Sequence, residues 1–282
     1  MQRITVKETM QDGLGVTAIE WLAEKTGLSK TRLKDAMNKG AVCLQRGKKR
    51  ARLRRATALL LPGDLIEFCY DEEVLALRAS PPLLVHDARR YSVWNKPAGM
   101  LAQGNEYGDH CSLLRQAEIF FHMKREVFLL HRLDREASGL VLIAHTREAA
   151  AKLSDLFQKQ QVEKTYRVVV RGIVGLPRDC GTLDDPIGGK PARSHYHVES
   201  VDEAAGTSVL IFRIETGRLH QIRRHCVAIG HPVMGDPKYG EGNKNREGLR
   251  LSAESLRFRC PFSGQTVQFS LSRTDSTNQL DS

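Results

Sequence analysis

The chain has 282 residues, enough at roughly 100–200 residues per domain for two domains or one large domain with an appendage. Its 41% apolar and 27% charged residues support a buried core and exclude a mainly disordered chain. Lys and Arg number 43 against 33 Asp and Glu, and the net charge of +10 points to a polyanion, either nucleic acid or an anionic membrane surface.

The membrane alternative weakens on the hydropathy pattern. Apolar runs such as Gly139–Ala144 fall far short of the roughly 20 residues a spanning helix needs. The opening MQRITVKETMQDG lacks the apolar centre of a secretory signal. The six cysteines are scattered, with no Cys-x-x-Cys pair, which fits a reduced, cytoplasmic compartment with cysteines as core fillers.

Taken in chain order, Thr17–Lys25 reads as a short amphipathic helix with Ile19, Leu22 and Ala23 on one side, stopped by Gly27. Ser29 caps a second helix whose apolar face is Leu33, Ala36 and Met37, and Gly40 ends it. A strand over Ala41–Leu44, a turn at Arg46-Gly47-Lys48, a turn at Pro62-Gly63-Asp64 and a strand over Leu65–Tyr70 follow. Residues 30–55 carry eleven positive charges against one negative, Asp35. A solvated face mixes both signs, so this one-sided density predicts an RNA contact through Lys30, Arg32, Lys34, Lys48, Lys49 and Arg50.

Over 71–90 an acidic cluster, a Ser-Pro-Pro break and a basic pair interrupt any periodicity and read as a linker, bounded at 76–90 between the two domains. The expected division is a basic module at 1–75, a second domain at 91–272 with its first β signals already near Leu83, and a polar, fraying tail at 273–282. In the second domain, strand signals at Tyr91–Trp94, Gly139–Ala144, Tyr166–Arg171, His195–Ser200 and Ser208–Thr216 alternate with helical patterns at 147–160 and 219–230. The fold class is α+β.

No phosphate loop, no dinucleotide fingerprint and no His-Glu-x-x-His helix is present, so no motif supports nucleotide hydrolysis, dinucleotide redox chemistry or zinc proteolysis. Two segments stand out instead. His131-Arg132-Leu133-Asp134-Arg135-Glu136-Ala137-Ser138-Gly139 runs straight into an apolar strand, which sets Asp134 on a rigid support at a domain surface. Thr216-Gly217-Arg218-Leu219-His220-Gln221-Ile222-Arg223-Arg224-His225 reads as a strand end followed by a helix start, with Arg218 in the field of the helix N-terminus. Arg223 can point inward only if it meets a carboxylate or a phosphate. On residues alone, a salt-bridged turn and a solvated basic helix are the competing accounts. His220 and His225 are spaced poorly for one metal-binding face, and no metal is expected.

At these segments the chain resembles the RluA-type family of RNA pseudouridine synthases. HRLDREASG at 131–139 is similar to that family's His-Arg-Leu-Asp-x-x-Thr-Ser-Gly, with Ala137 in place of the usual Thr. TGRLHQIRRH and GHPVMGDPKYG match its later motifs, Lys164-Thr165-Tyr166 matches its Lys-x-Tyr, and Asn95-Lys96-Pro97-Ala98-Gly99 resembles its opening segment. The resemblance covers about residues 83–271. The module before it looks like the ribosomal-protein-type (alpha-L) RNA-binding domain.

The resemblance implies a catalytic domain with a central mixed, mostly antiparallel sheet behind a small α/β RNA-binding module. It implies isomerisation of uridine to pseudouridine in structured RNA without a cofactor; the basic module favours ribosomal over transfer RNA, and no heptad or exposed apolar stripe argues for more than a monomer. Asp134 would be the reacting carboxylate, Arg223 its orienting cation, and Tyr166 the residue that stacks on uracil or moves its proton. Arg132, Arg135, Arg218 and His220 would hold the RNA. Two rivals remain at this point: a catalytically silent RNA-binding protein of the same fold, and a metal-dependent hydrolase using His131, Asp134 and His220.

Overall fold

The computed structural model describes residues 2–11, 15–78 and 80–271, so the expected fraying tail lies outside the described residues. Its contacts divide the chain into two compact units, Met1–Ser80 with Gln103–Phe120, and Pro81–Ala102 with Phe121–Ser282.

In the first unit a four-stranded antiparallel sheet has the order β1-β4-β2-β3, from β1 (Arg3–Thr9), β2 (Val42–Arg46), β3 (Lys49–Arg52) and β4 (Leu65–Asp71). Two helices cover it, α1 (Ala18–Thr26) and α2 (Lys30–Asn38). Thr17 and Glu20 form a reciprocal capping box at the start of α1, Gly27 closes it in the left-handed region, and Ser29 caps α2. Leu22, Leu33, Ala36, Met37 and Phe68 are fully buried and join the layers. A short helix α3 (Glu72–Ala76) follows β4.

This division differs from the expected boundaries in two places. Residues 103–120, including helix α4 (Leu113–Phe120), pack with the first unit. Arg52 donates to the carbonyls of Asn105 and Glu106, Arg54 pairs with Asp109, and the Asp109 amide donates to the Lys39 carbonyl at 2.9 Å. Inside the stretch read as a linker, β5 (Leu83–Asp87) already pairs with β6 (Tyr91–Lys96) in the second unit.

The second unit is built on a ten-stranded mixed sheet. Its path is β10 (Cys180–Leu183), β11 (Ser194–Asp202), β12 (Thr207–Ile214), β9 (Glu163–Arg171), β13 (Leu251–Arg259), β8 (Ser138–Ala144), β6, β5. Strands β7 (Phe128–Leu129) and β14 (Thr266–Ser270) pair with β8 and β13 off this path. Among the described residues, all pairings are antiparallel except β13 with β8. The all-apolar run of β8 is buried, and helix α5 (Arg147–Gln158) covers it through Ala149 and Leu153. Helix α6 (Gln221–Ala228) follows the loop after β12.

The single parallel contact has a local cause. It is confined to Ser138–Ser252 and Gly139–Ala253. Gly139 has φ +115°, and a Cβ there would lie 2.3 Å from the Ala253 carbonyl oxygen. Only glycine lets β8 and β13 meet at this point, five residues after Asp134. The sheet centre and the loop that presents the carboxylate are thereby fixed together.

Candidate active site

Asp134 sits in the turn between β7 and β8 and faces a cavity of about 100 Å³. Arg132 and Leu133 from the same turn, Tyr166 from β9, and Arg218, His220 and Arg223 from the segment after β12 share its lining. The side chain of Asp134 is 22% exposed, so it is reachable from the cavity.

What holds it is a chain of carboxylates and one guanidinium. Arg223, on the first turn of α6, donates from Nη1 to Asp134 Oδ2 at 3.0 Å. Its other edge makes a two-pronged pair with Asp236, Nε to Oδ2 and Nη2 to Oδ1, both at 2.7 Å. The Arg223 and Asp236 side chains are 2% and 0% exposed. Asp236 is in turn fixed by the amides of Lys238 and Tyr239, which donate to Oδ1 at 2.8 and 2.9 Å. Burial by itself would lower the Arg223 pKa, but the carboxylates of Asp236 and Asp134 outweigh it and raise it. Burial likewise pushes Asp236 up, and Arg223 with the two amides holds it below the usual carboxylate range. The result is a permanent cation, locked on one side and offering its remaining edge to Asp134.

Tyr239 closes this arrangement. Its ring lies 5.1 Å from the Arg223 guanidinium carbon, and its hydroxyl shares a 2.8 Å hydrogen bond with His220 Nδ1. His220 Nε2 stands 3.8 Å from Asp134 Oδ1. His220 has φ 54°, an unusual left-handed conformation for a residue with a side chain, and it occupies the position before α6. Burial lowers its pKa, Asp134 opposes that, and the Arg223 and Lys238 charges add to it. Tyr166 is 7% exposed, and burial followed by the nearby Asp134 charge pushes its phenol pKa up.

The turn carrying Asp134 is braced from below by Lys96 at the end of β6. Its side chain is fully buried, and its ammonium donates to the carbonyls of Ala137 at 2.6 Å, Met100 at 2.8 Å, Pro97 at 3.0 Å and Arg135 at 3.3 Å. Burial pulls the Lys96 pKa down to about 8, against the pull of Asp134 and Glu136. Gly99 and Arg135 exchange a further pair of hydrogen bonds, amide to carbonyl at 2.7 Å and Arg135 Nε to the Gly99 carbonyl at 3.2 Å.

Of the residues expected at the site, Asp134, Tyr166, Arg223, Arg132, Arg218 and His220 come together at this cavity. Arg135 turns instead to Gly99. Helix α6 begins at Gln221, later than the expected 219, so Arg218 precedes the helix and donates to the Pro191 carbonyl at 3.0 Å. The buried side chain of Gln221 replaces a cap, accepting from the Thr216 hydroxyl at 2.8 Å and the Arg218 amide at 3.0 Å. His131, the first residue of the signature, is a support: its Nε2 accepts the Leu142 amide at 3.1 Å and its ring stacks on Phe157 at 4.7 Å. That nitrogen is therefore engaged by the backbone of β8. Lys30, Arg32, Lys34, Lys48, Lys49 and Arg50 lie in the first unit. Asp236, Tyr239 and Lys96 were quoted inside motifs but given no role; an acid set directly between Gly235 and Pro237 was the available signal for Asp236.

A model of the family described as RNA pseudouridylate synthase matches residues 90–228. The chain is similar to a tRNA pseudouridine synthase C of Yersinia pestis, 34% identical over 61% of this chain and 79% of that one. It is also similar to a ribosomal large subunit pseudouridine synthase D of Neisseria meningitidis, 34% identical over 70% of this chain and 60% of that one. It spans 55% of the length of an uncharacterized RNA pseudouridine synthase of Chloroflexus aurantiacus, matching 57% of its own length at 36% identity. In fold, it resembles human RNA pseudouridylate synthase domain containing 1 with a TM-score of 0.58 and 24% identity, over 70% of this chain and 86% of that one.

Proposed function

Because the chain belongs to the RNA pseudouridylate synthase family, we propose that it isomerises uridine in structured RNA to pseudouridine, with Asp134 as the reacting carboxylate. In that reaction the bond from ribose C1′ to uracil N1 breaks and one from C1′ to C5 forms. The proton on C5 leaves and N1 gains one, so atoms and electrons balance with no oxidant, reductant or metal-activated water.

The observation that carries the reading is the Asp134–Arg223–Asp236 array opening on a cavity beside Tyr166. The doubly held guanidinium keeps Asp134 pointed at the cavity, where its carboxylate can attack carbon or remove a ribose proton. A uracil anion is a stabilised leaving group that stays in the cavity for reattachment, so a second carboxylic acid is not needed, in contrast to glycoside hydrolysis. Tyr166, kept as a neutral phenol, suits stacking against the loosened ring better than accepting its proton. The target must leave its stack to reach Asp134, at about a few kcal/mol. Arg132 and Arg218 on the cavity rim, with the free lysines of the first unit, would offset that cost by contacts to phosphates.

Ribosomal RNA is the substrate we favour over transfer RNA, because the separate basic unit suits a large structured RNA. The test is tritium release from carbon-5-labelled RNA. Asp134→Asn should abolish release while RNA affinity changes by less than about threefold, since one charge is removed and no phosphate contact is lost. Release by wild type from transfer RNA alone overturns the substrate class, and release by Asp134→Asn at the wild-type rate overturns the mechanism. No release by wild type from any RNA would leave the silent RNA-binding alternative.

A further inference from the structure

Isomerisation leaves one proton to be taken from carbon, the proton on uracil C5. Among the described residues that line the cavity, Asp134, Tyr166 and His220 carry the side chains that could accept it. The other polar side chains there are the guanidinium groups of Arg132, Arg218 and Arg223 and the amide of Gln221. Asp134 works at the ribose. Tyr166 is held as a phenol by burial and the Asp134 charge, and a phenol must lose its own proton before it can take another. His220 remains.

The backbone aims it inward. His220 has φ 54° and ψ 34°, a left-handed conformation that is uncommon for a residue with a side chain and that clusters at functional sites. Its neighbour Gln221 fixes the turn by accepting from the Thr216 hydroxyl and the Arg218 amide, and by donating to the Arg193 carbonyl and Ser194 Oγ at 3.0 Å each. The ring is oriented as well. Nδ1 is engaged by the Tyr239 hydroxyl at 2.8 Å, and Nε2 lies on the Asp134 side, 3.8 Å from Oδ1. Tyr239 is itself anchored, since its amide donates to Asp236 and its ring meets the imidazole edge-on with centroids 5.4 Å apart. A base that faces the reacting group and is oriented from behind by another side chain is the arrangement that proton removal needs.

We propose that His220 is the general base that removes the C5 proton, with Tyr239 as the positioning residue that accepts from Nδ1–H and so leaves the Nε2 lone pair facing the cavity. The inference rests on the isomerase reading for its substrate. Once C1′ has joined C5, that carbon carries both C1′ and its proton, and C6 is double-bonded to N1. Nε2 takes the proton, the C5–H electron pair becomes the C5=C6 bond, and the C6=N1 pair moves to N1, which takes a proton from water. The imidazolium so formed is stabilised by the Asp134 carboxylate 3.8 Å away until it gives its proton to water.

The test measures pseudouridine formation, by chromatography of digested RNA, from substrates carrying uridine or 5-deuterouridine. Asparagine tolerates the left-handed backbone but offers no base, so His220→Asn leaves the turn intact. It should lower kcat at least about 100-fold. RNA affinity should stay within about threefold, since no phosphate contact is lost. Deuterium at C5 should slow this variant more than it slows wild type, because breaking the C5–H bond has become the slow step. Tyr239→Phe keeps the ring against Arg223 and should show the same behaviour to a smaller degree, in kcat and not in KM. Wild-type kcat in His220→Asn, a loss with no added deuterium effect, or a fall in RNA affinity that accounts for the loss would each overturn the base. Wild-type kcat in Tyr239→Phe would overturn the part given to Tyr239. If wild type makes no pseudouridine from any RNA, the isomerase reading itself has failed and the base falls with it.

Discussion

The two units of the molecule use arginine in opposite ways. In the first, the density of positive charge suggested an open surface waiting for an anion, but much of it is engaged within the unit. Arg46 pairs with the buried Asp64, Arg50 with Glu67, Arg32 with Glu72, Lys39 with Asp35 and Arg54 with Asp109, while Arg52 donates to three carbonyls. Among the described residues of 30–55, Lys30, Lys34, Lys48, Lys49 and Arg55 have no carboxylate partner. In the second unit one buried guanidinium is hydrogen-bonded to two carboxylates, Asp134 and Asp236, with Glu136 at 3.8 Å. Charge density read along a chain therefore overstates a binding surface, and a lone buried arginine understates a reactive one; pairing decides both.

The largest effect should come from breaking the locked side of Arg223. Asp236→Asn removes the charge that fixes the guanidinium, leaves the buried cation with Asp134 and the more distant Glu136, and frees Arg223 to rotate away from Asp134. We expect kcat for tritium release to fall about 100-fold, as a misplacement on the order of 1 Å can do. Stability to urea should fall by about 3 kcal/mol. The variant sharpens the comparison if activity falls more than stability explains at 25 °C, where most molecules remain folded. An unchanged kcat would show that Arg223 is held by Asp134 alone.

How much of this was legible in the sequence depends on whether the cause was local. The helix starts at Thr17 and Ser29, the stop at Gly27 and the apolar strand β8 follow from side chains acting on their own backbone, and they lie where the pattern puts them. Strand β1 was missed because its pattern is only half-buried at one sheet edge, and β13 because its partners β8 and β9 are distant in the chain; β14 follows it in a local hairpin and is half-exposed. At the site, Asp134, Arg223 and Tyr166 came from the family motifs rather than from the residues alone. The need of Arg223 for an acid was legible, but that it takes two, Asp134 and Asp236 on opposite edges, is a tertiary fact. Lys96 was invisible for the same reason. A lysine after an apolar strand looks like a surface residue until the four carbonyls it serves are brought around it.

A second contrast separates free from engaged cations within the first unit. Lys48→Gln with Lys49→Gln removes two exposed ammonium groups that make no ion pair among the described residues. If they meet phosphates, RNA affinity at low salt should drop about tenfold, and the slope of log affinity against log salt should flatten by about 2. The melting temperature should not move. Arg54→Gln should do the reverse, because its two ends serve the Asn38 carbonyl and Asp109. It should lose about 1–2 kcal/mol of stability with the salt slope intact. Equal salt slopes for wild type and the double lysine variant would remove the first unit from RNA binding.

The smallest expected effect at neutral pH concerns His131, which shares the signature with Asp134 but serves the fold. Packing against Phe157 desolvates its ring, and the nearby Lys164 charge adds to this, so its pKa is pushed down from 6.5 to about 3. In the unfolded chain the imidazole takes a proton below pH 6.5, whereas in the folded protein it resists until about pH 3. Its contribution is therefore fully present above pH 6.5 and is lost as pH falls from there toward 3. Gln in its place can still accept the Leu142 amide but cannot titrate. The stability difference between wild type and His131→Gln, followed by urea unfolding, should stay flat above pH 6.5 and shift in favour of the variant by about 1.4 kcal/mol for each pH unit below it. Tritium release at pH 7.5 should change less than about threefold. A flat difference down to pH 4 would mean that the ring is protonated in the folded state, and a loss of activity matching that of Asp134→Asn would move His131 from the support of the turn into its chemistry.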